Sequence, residues 1–300
     1  VTSGIRFKHR LEFATLKLAL TLFGAPSLER ASAMGAAFCG FLGPRLRVTN
    51  RARKNLERAF PGMEKAEQDA IIKAVWRNLG RNIAEYAHLE KFQYPPYREG
   101  LEIAGTEHLA ALKEKGGVFV SGHFANWEIP ALIGRLNGVE GGGLYRHANN
   151  PLVNEWTLAL RARAIGQVQI AKGQPGMREI IRLLRAGKSV FMLTDQKMND
   201  GIETTFFGHK VKSTAAPAGL AVRYGVPIFP VSLERLGESV RFRLTVHPPL
   251  YANEDADDVS EVLRLTQAIN DFLEAEIRAR PGQWFWLHNR WPMKKIKKRR

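Results

Sequence analysis

The chain has 300 residues, a formal net charge of +16 and 45% hydrophobic residues. That length allows one large α/β domain or a domain with an appendage, and the apolar share excludes wholesale disorder. The single cysteine, Cys39, excludes an intrachain disulfide and a cysteine-based zinc site. This suits a reducing compartment, and Cys39 itself reads as a buried small hydrophobe. The charge attracts anions, whether nucleic acid, an acidic protein or an anionic membrane, and composition does not choose among them.

Residues 5–43 are apolar but punctuated by charge, a pattern that predicts two helices broken near Gly24 and Pro26. At 3.6 residues per turn, Phe7, Leu11, Leu18 and Leu22 form one apolar stripe of the first helix, and Phe13, Leu16, Leu20 and Phe23 form another. Arg6, Arg10 and Lys17 lie between them. Two apolar faces suit a helix wedged between the protein body and lipid, with its basic stripe toward headgroups. The alternative is a buried helix of a larger bundle. The longest stretch free of Asp, Glu, Lys and Arg runs from Ala31 to Pro44, short of the roughly 20 apolar residues that span a bilayer. No clean transmembrane helix is expected, and no cleavable signal.

A basic connector follows over residues 45–54, then a helical pattern from about Glu64 to Phe92. Its apolar positions Ile71, Ile72, Val75, Leu79 and Ile83 recur at three and four residues, and Pro95-Pro96 ends it. From Leu101, short β-rich runs at Val118-Phe-Val, Gly143-Leu-Tyr, Val190-Phe-Met-Leu and Pro227-Ile-Phe-Pro-Val-Ser-Leu alternate with helical stretches. These fall at 105–115, 126–137, 151–164, 176–187 and 214–224. Val240 to Val246 reads as a further strand and 258–279 as a closing helix. The alternation predicts an α/β fold with a largely parallel, helix-covered sheet. The organisation expected is 1–60, membrane-associated helices with a basic connector, and 61–300, the α/β domain with the basic tail Lys294-Lys-Ile-Lys-Lys-Arg-Arg300.

The segment Gly117-Val-Phe-Val-Ser-Gly-His-Phe-Ala-Asn-Trp-Glu128 delivers His123 at the carboxyl end of a strand, where open α/β sheets place ligands. Glu128 falls early in the following helix. On a continuous helix the two would stand about 140° apart, but a strand-to-helix turn lets Glu128 fold back toward the imidazole. A carboxylate on one ring nitrogen fixes the tautomer and frees the other nitrogen to accept a proton. The spacing alone is weak. With 8 histidines and 29 acidic residues, chance supplies roughly 0.8 such pairs, and a histidine capping a helix would look the same.

Gly122-His-Phe-Ala-Asn-Trp-Glu128 resembles the His-x4-Asp/Glu block of the lysophospholipid acyltransferase superfamily, and within it the bacterial lipid A biosynthesis (lauroyl/myristoyl) acyltransferases. Tyr145-Arg-His-Ala-Asn-Asn-Pro-Leu152 is similar to the family's Tyr-Arg-x-x-x-Asn-Pro segment. Leu184-Arg-Ala-Gly187 with Leu193-Thr-Asp-Gln196 resembles its Leu-x-x-Gly and Asp-Gln elements. Phe206-Phe-Gly208 with Thr214, and Gly225-Val-Pro-Ile-Phe-Pro-Val231, are similar to later blocks. Pro281-Gly-Gln-Trp-Phe-Trp-Leu-His-Asn-Arg-Trp291 matches the C-terminal signature, with Asn289 where many members have a second basic residue. Asn55-Leu and Phe60-Pro61 also fit.

The resemblance implies acyl transfer from an acyl carrier protein thioester to a hydroxyl of a saccharolipid precursor, the lipid A precursor in the family named. It places the enzyme at the cytoplasmic face of an inner membrane, peripheral or monotopic. An alcohol needs a base near the working pH, which suits His123, with Glu128 stabilising the imidazolium. Backbone N–H groups or a nearby Arg would hold the oxyanion, and nothing calls for a metal or a cofactor. Arg146, Asn149, Arg161, Arg163 and Asp195 are the substrate-binding candidates. The arginines either clamp phosphates or sit in structural ion pairs; Asp195 either anchors one of them or caps a helix. His288 and the tryptophans around it read as packing. Other acceptors remain open: a lysophospholipid, an ornithine lipid or a glycolipid. A nucleic-acid-binding protein is the alternative of another class, but no RNP-like, zinc or KH-type pattern supports it.

Overall fold

The computed structural model describes residues 5–112, 116–166 and 168–291, so the basic tail lies outside the described residues. Helix α1 (Phe7–Gly24) and helix α2 (Leu28–Leu42) form as expected, separated at Ala25 and Pro26. The stripe of α1 at Phe13, Leu16, Leu20 and Phe23 is partly or fully buried, while Phe7, Leu11, Leu18 and Leu22 are exposed. Met34, Phe38, Phe41 and Leu42 extend the exposed apolar surface along α2. No helix among the described residues is long and apolar enough to cross a membrane.

The expected basic connector is largely helical: α3 spans Thr49–Ala59. Its charges line one side while Ala52, Leu56 and Ala59 are buried on the other, so periodicity carries more weight there than charge. Helix α4 (Lys65–Glu85) is shorter than its apolar pattern and continues as a 3₁₀ segment over Tyr86–Gln93.

The sheet has seven strands: β1 (Leu101–Ala104), β2 (Val118–Ser121), β3 (Gly141–Tyr145), β4 (Val168–Ala171), β5 (Ser189–Leu193), β8 (Ile228–Arg235) and β9 (Phe242–Val246). Their order is β1-β9-β8-β2-β5-β3-β4, parallel throughout except for the β8–β9 pair. A separate antiparallel hairpin, β6 (Ile202–Phe206) with β7 (His209–Ser213), is absent from the expected elements because only Ile202, Phe206 and Val211 among its strand residues are apolar.

Helices α7 (Gln174–Arg185), α8 (Ala216–Tyr224) and α9 (Asp258–Ala279) cover one face, packing on Val118, Val120, Val190, Met192 and Ile228. Helices α5 (Ile129–Leu136) and α6 (Pro151–Ala164) cover the other, on Phe119, Phe229 and Val231. Burial on both faces explains the near-continuous apolar runs of the central strands.

Candidate active site

Strands β2 and β5 are parallel neighbours, with Ser121 opposite Leu193. Two residues further along each strand stand His123 and Asp195. The register therefore sets them side by side, and the Thr194 N–H to the Ser121 carbonyl, 2.9 Å, carries the pairing past the strand ends. The His123 Nδ1 lies 2.7 Å from Asp195 Oδ1, and the His123 backbone N–H donates to Asp195 Oδ2 at 2.8 Å. Trp284 Nε1–H donates to the same Oδ2, also at 2.8 Å. Gly122 has no room for a side chain: a Cβ would stand 2.8 Å from the Phe124 ring and 3.2 Å from Asp195 Oδ2.

Asp195 is fully buried. Burial alone would raise its carboxyl, but His123, through charge and hydrogen bonds, holds it well below the usual carboxylate range. An ionised Asp195 fixes the Nδ1–H tautomer and leaves Nε2 as the proton acceptor. The Gln196 side-chain nitrogen stands 3.5 Å from that Nε2.

This corrects the expected pairing. The Glu128 carboxylate is engaged elsewhere: Arg161 donates from Nε at 2.8 Å and from a terminal nitrogen at 2.5 Å, and the Tyr86 hydroxyl donates as well. Glu128 is buried. Its negative charge, with Tyr86, outweighs the desolvation that would lower the Arg161 guanidinium and drives it up instead. The Tyr86 hydroxyl is pushed up by burial and by Glu128.

The other expected residues disperse. Asp195 neither anchors an arginine nor caps a helix. Arg161 and Arg163 are two residues apart on α6 and so face different ways; Arg163 pairs with Glu90 at the surface, 2.8 Å. Arg146 and Asn149 are exposed, 3.4 Å apart. Asn150 is the engaged asparagine: it caps α6 through the Leu152 N–H (3.0 Å) and donates to the His9 carbonyl (2.9 Å) and Glu12 (3.0 Å) on α1. Cys39 is half-buried against the core.

The turn after His123 is gripped from both sides. From α4, the Asn78 and Asn82 amides both donate to the Ala125 carbonyl, and Glu85 accepts from Asn126 at 2.8 Å. Ala125 itself has a left-handed φ of 42°. From the C-terminal signature, the Phe285 N–H donates to the His123 carbonyl at 3.1 Å, and the Gln283 carbonyl accepts from the Ala125 N–H at 2.9 Å. Arg235 binds Glu85 through both carboxylate oxygens, at 2.6 and 3.0 Å, in full burial.

Beside this turn lies a cavity of about 90 Å³, lined by Phe119, Trp127, Glu128, Gly143, Arg161 and Phe191 among others. Trp127 joins it to His123, ring centroids 5.3 Å apart. Phe119 and Phe191 in its sheet wall belong to a cross-strand row in which Phe229, Phe119 and Phe191 stack with centroids 4.9 Å apart. The next position in the row, opposite Phe191, is Gly143. A Cβ there would meet nothing within 4 Å. The missing side chain leaves part of the hollow. A second, narrower apolar hollow shares Phe119, Pro130, Phe191 and Val231 with it and reaches Leu244 and Val246.

The arrangement sets an imidazole, oriented by a buried carboxylate and with one nitrogen free to accept a proton, beside an apolar hollow with one cationic group in its wall. The family described as "Bacterial lipid A biosynthesis acyltransferase" matches residues 11–293, and the chain belongs to it; the protein is an acyltransferase. It is 25% identical to the lipid A biosynthesis palmitoleoyltransferase of Escherichia coli, over 96% of both chains. It is 26% identical to the lipid A biosynthesis myristoyltransferase of the same organism, over 83% of this chain and 76% of that one. A phosphatidylinositol mannoside acyltransferase of Mycobacterium tuberculosis is 24% identical over 80% of this chain and 76% of its own. Among solved structures, a 1-acyl-sn-glycerophosphate acyltransferase from Thermotoga maritima covers 84% of this chain and 98% of its own, with a TM-score of 0.40 and 15% identity.

Proposed function

We propose that the protein moves a fatty acyl chain from an acyl carrier protein thioester to a hydroxyl of a lipid A precursor, with His123 as the general base and Asp195 as its orienting carboxylate. The hydrogen-bonded His123–Asp195 pair at two adjoining strand ends is the observation that supports this most. His123 Nε2 takes the proton from the acceptor hydroxyl as the oxygen attacks the thioester carbonyl. Asp195 stabilises the imidazolium, and the proton then leaves with the thiol. Glu128 takes a different part from the one its spacing suggested. It holds Arg161 in the wall of the cavity, where the guanidinium is available to the carbonyl oxygen as negative charge develops there. The acyl chain lies along the Phe119–Phe191–Gly143 wall.

The exposed apolar residues of α1 and α2, with Arg6, Arg10 and Lys17 beside them, support peripheral or monotopic attachment to the inner membrane. High salt should leave the protein on vesicles and detergent should release it; quantitative release by salt alone would sink the attachment. For the reaction, purified enzyme is offered one carrier-protein thioester with a lipid A precursor, a phosphatidylinositol mannoside and a lysophospholipid in parallel. The lipid A precursor is expected to have the highest kcat/KM. Preference for the mannoside would move the acceptor to the class acted on by the mycobacterial relative.

A further inference from the structure

His288 is the polar group that the acyl-transfer reading leaves without a task. It is 9% exposed, and neither ring nitrogen has a partner in good hydrogen-bond geometry, its one polar neighbour of consequence being the Asp195 backbone. A buried imidazole so poorly partnered has capacity for a further ligand. Its ring centroid stands 6.0 Å from that of His123 and 4.9 Å from that of Trp284. Among the described residues, His123, Asp195 and His288 are the one group of three potential metal ligands whose donor atoms all lie within 4.8 Å of one another.

We propose that these three residues form a zinc-binding site and that zinc bound there switches the enzyme off. Two imidazoles and a carboxylate are a donor set that suits Zn²⁺. The donor atoms lie no more than 4.8 Å apart, and His123 Nδ1 and Asp195 Oδ1 already stand 2.7 Å from each other, so an ion with ligand bonds of about 2.0–2.2 Å takes the place of the proton they share. His123 and Asp195 part slightly to admit the ion and His288 turns toward it, movements that side-chain rotations supply. Asp195 supplies the negative charge that a dication needs near the buried Arg290. The Trp284 and His123 N–H groups on its other oxygen hold the carboxylate in place, as outer contacts of metal ligands do. Zinc held by His123 and Asp195 together displaces the hydrogen bond that orients the ring, and general-base catalysis stops. The inhibition rests on the proposed role of His123; the binding does not.

The test is calorimetric titration of ZnCl₂ into chelator-stripped, full-length protein in detergent, with acyl transfer measured over the same zinc range. The wild type is expected to bind one equivalent that His288→Asn and Asp195→Asn each weaken at least tenfold. His209→Asn, on the exposed hairpin, should bind as wild type does. Activity should fall with the same midpoint and return on adding chelator. The proposal is overturned if the wild type shows no stoichiometric site, or if His288→Asn binds within twofold of it. Should His288→Asn misfold by near-ultraviolet circular dichroism, Asp195→Asn gives the same reading. Stoichiometric binding without inhibition also overturns the switch. A protein that binds zinc but transfers no acyl group in its absence would instead bring down the proposed function.

Discussion

Two buried carboxylates flank the turn that carries His123, and they have different partners. Asp195 meets an imidazole at the end of a strand pair; Glu128 meets a guanidinium and a phenol at the start of α5. The first arrangement keeps a nitrogen free to take a proton. The second closes on itself, since a bidentate arginine and a tyrosine leave the carboxylate little capacity for a further partner. What a carboxylate contributes is set by its partner across the fold, and distance along the chain is a poor guide to that partner.

Loss of the imidazole should cost most. His123→Ala is expected to lower kcat by roughly 10²–10⁴-fold with folding intact, and Asp195→Asn to approach it by favouring the wrong tautomer. Steady-state kinetics on both variants, checked by circular dichroism, decide this. Near wild-type turnover in Asp195→Asn would remove the asymmetry between the two carboxylates.

Glu128→Gln should show itself first in stability. It leaves the part-buried Arg161 charge without its counterion, a change that costs up to about 3–5 kcal/mol when the pair is fully buried and less here. Denaturant unfolding should register the loss, and Glu128→Leu combined with Arg161→Met should recover part of it. If Glu128→Gln kept full stability, the carboxylate would not serve as the counterion that the contrast with Asp195 requires.

A third carboxylate sharpens the contrast through pH. Burial would raise Glu85, but Arg235, through charge and hydrogen bonding, with hydrogen bonds from Ser32 and Asn126, holds it below the usual carboxylate range. A carboxyl lowered in the folded state contributes stability that is complete above its unfolded value of about 4.3 and is lost as pH falls toward the folded value. The stability gap between wild type and Glu85→Gln should therefore be widest near neutrality and narrow as the solution is acidified below that value. A gap independent of pH would assign the effect to packing alone.

The smallest effect belongs to the cavity wall. Gly143→Val should fill the end of the aromatic row and shift preference toward shorter acyl donors. A change of about tenfold or more in the ratio of kcat/KM between long and short chains is expected, since a methylene or two in an apolar pocket is worth about 1–3 kcal/mol. Mass spectrometry of products from mixed donors reads the shift. An unchanged chain distribution in an active variant would move the acyl chain to another wall.

Much of this protein is local and so was legible in its sequence. The 3.6-residue periodicity placed α1, α2, α6 and α9, and the two stripes of α1 faced opposite ways as their spacing required. Apolar runs bounded by turn residues gave the central parallel strands, and His123 stands just past a strand end as its sequence context predicted. Charge hid α3, and a scarcity of apolar residues hid the β6–β7 hairpin. The identity of the carboxylate on His123 was beyond reach, because it depends on strand order. Glu128 is five residues away in the chain, whereas Asp195, 72 residues away, becomes a neighbour only because β5 pairs with β2. The same holds for Trp284 and His288, brought in by a C-terminal segment laid against the turn, and for α4, whose asparagines hold Ala125. Sequence periodicity fixes which face of an element is buried. Only the packing of one element on another decides which buried polar groups meet, because each must find its hydrogen-bond partner wherever the fold sets one within reach.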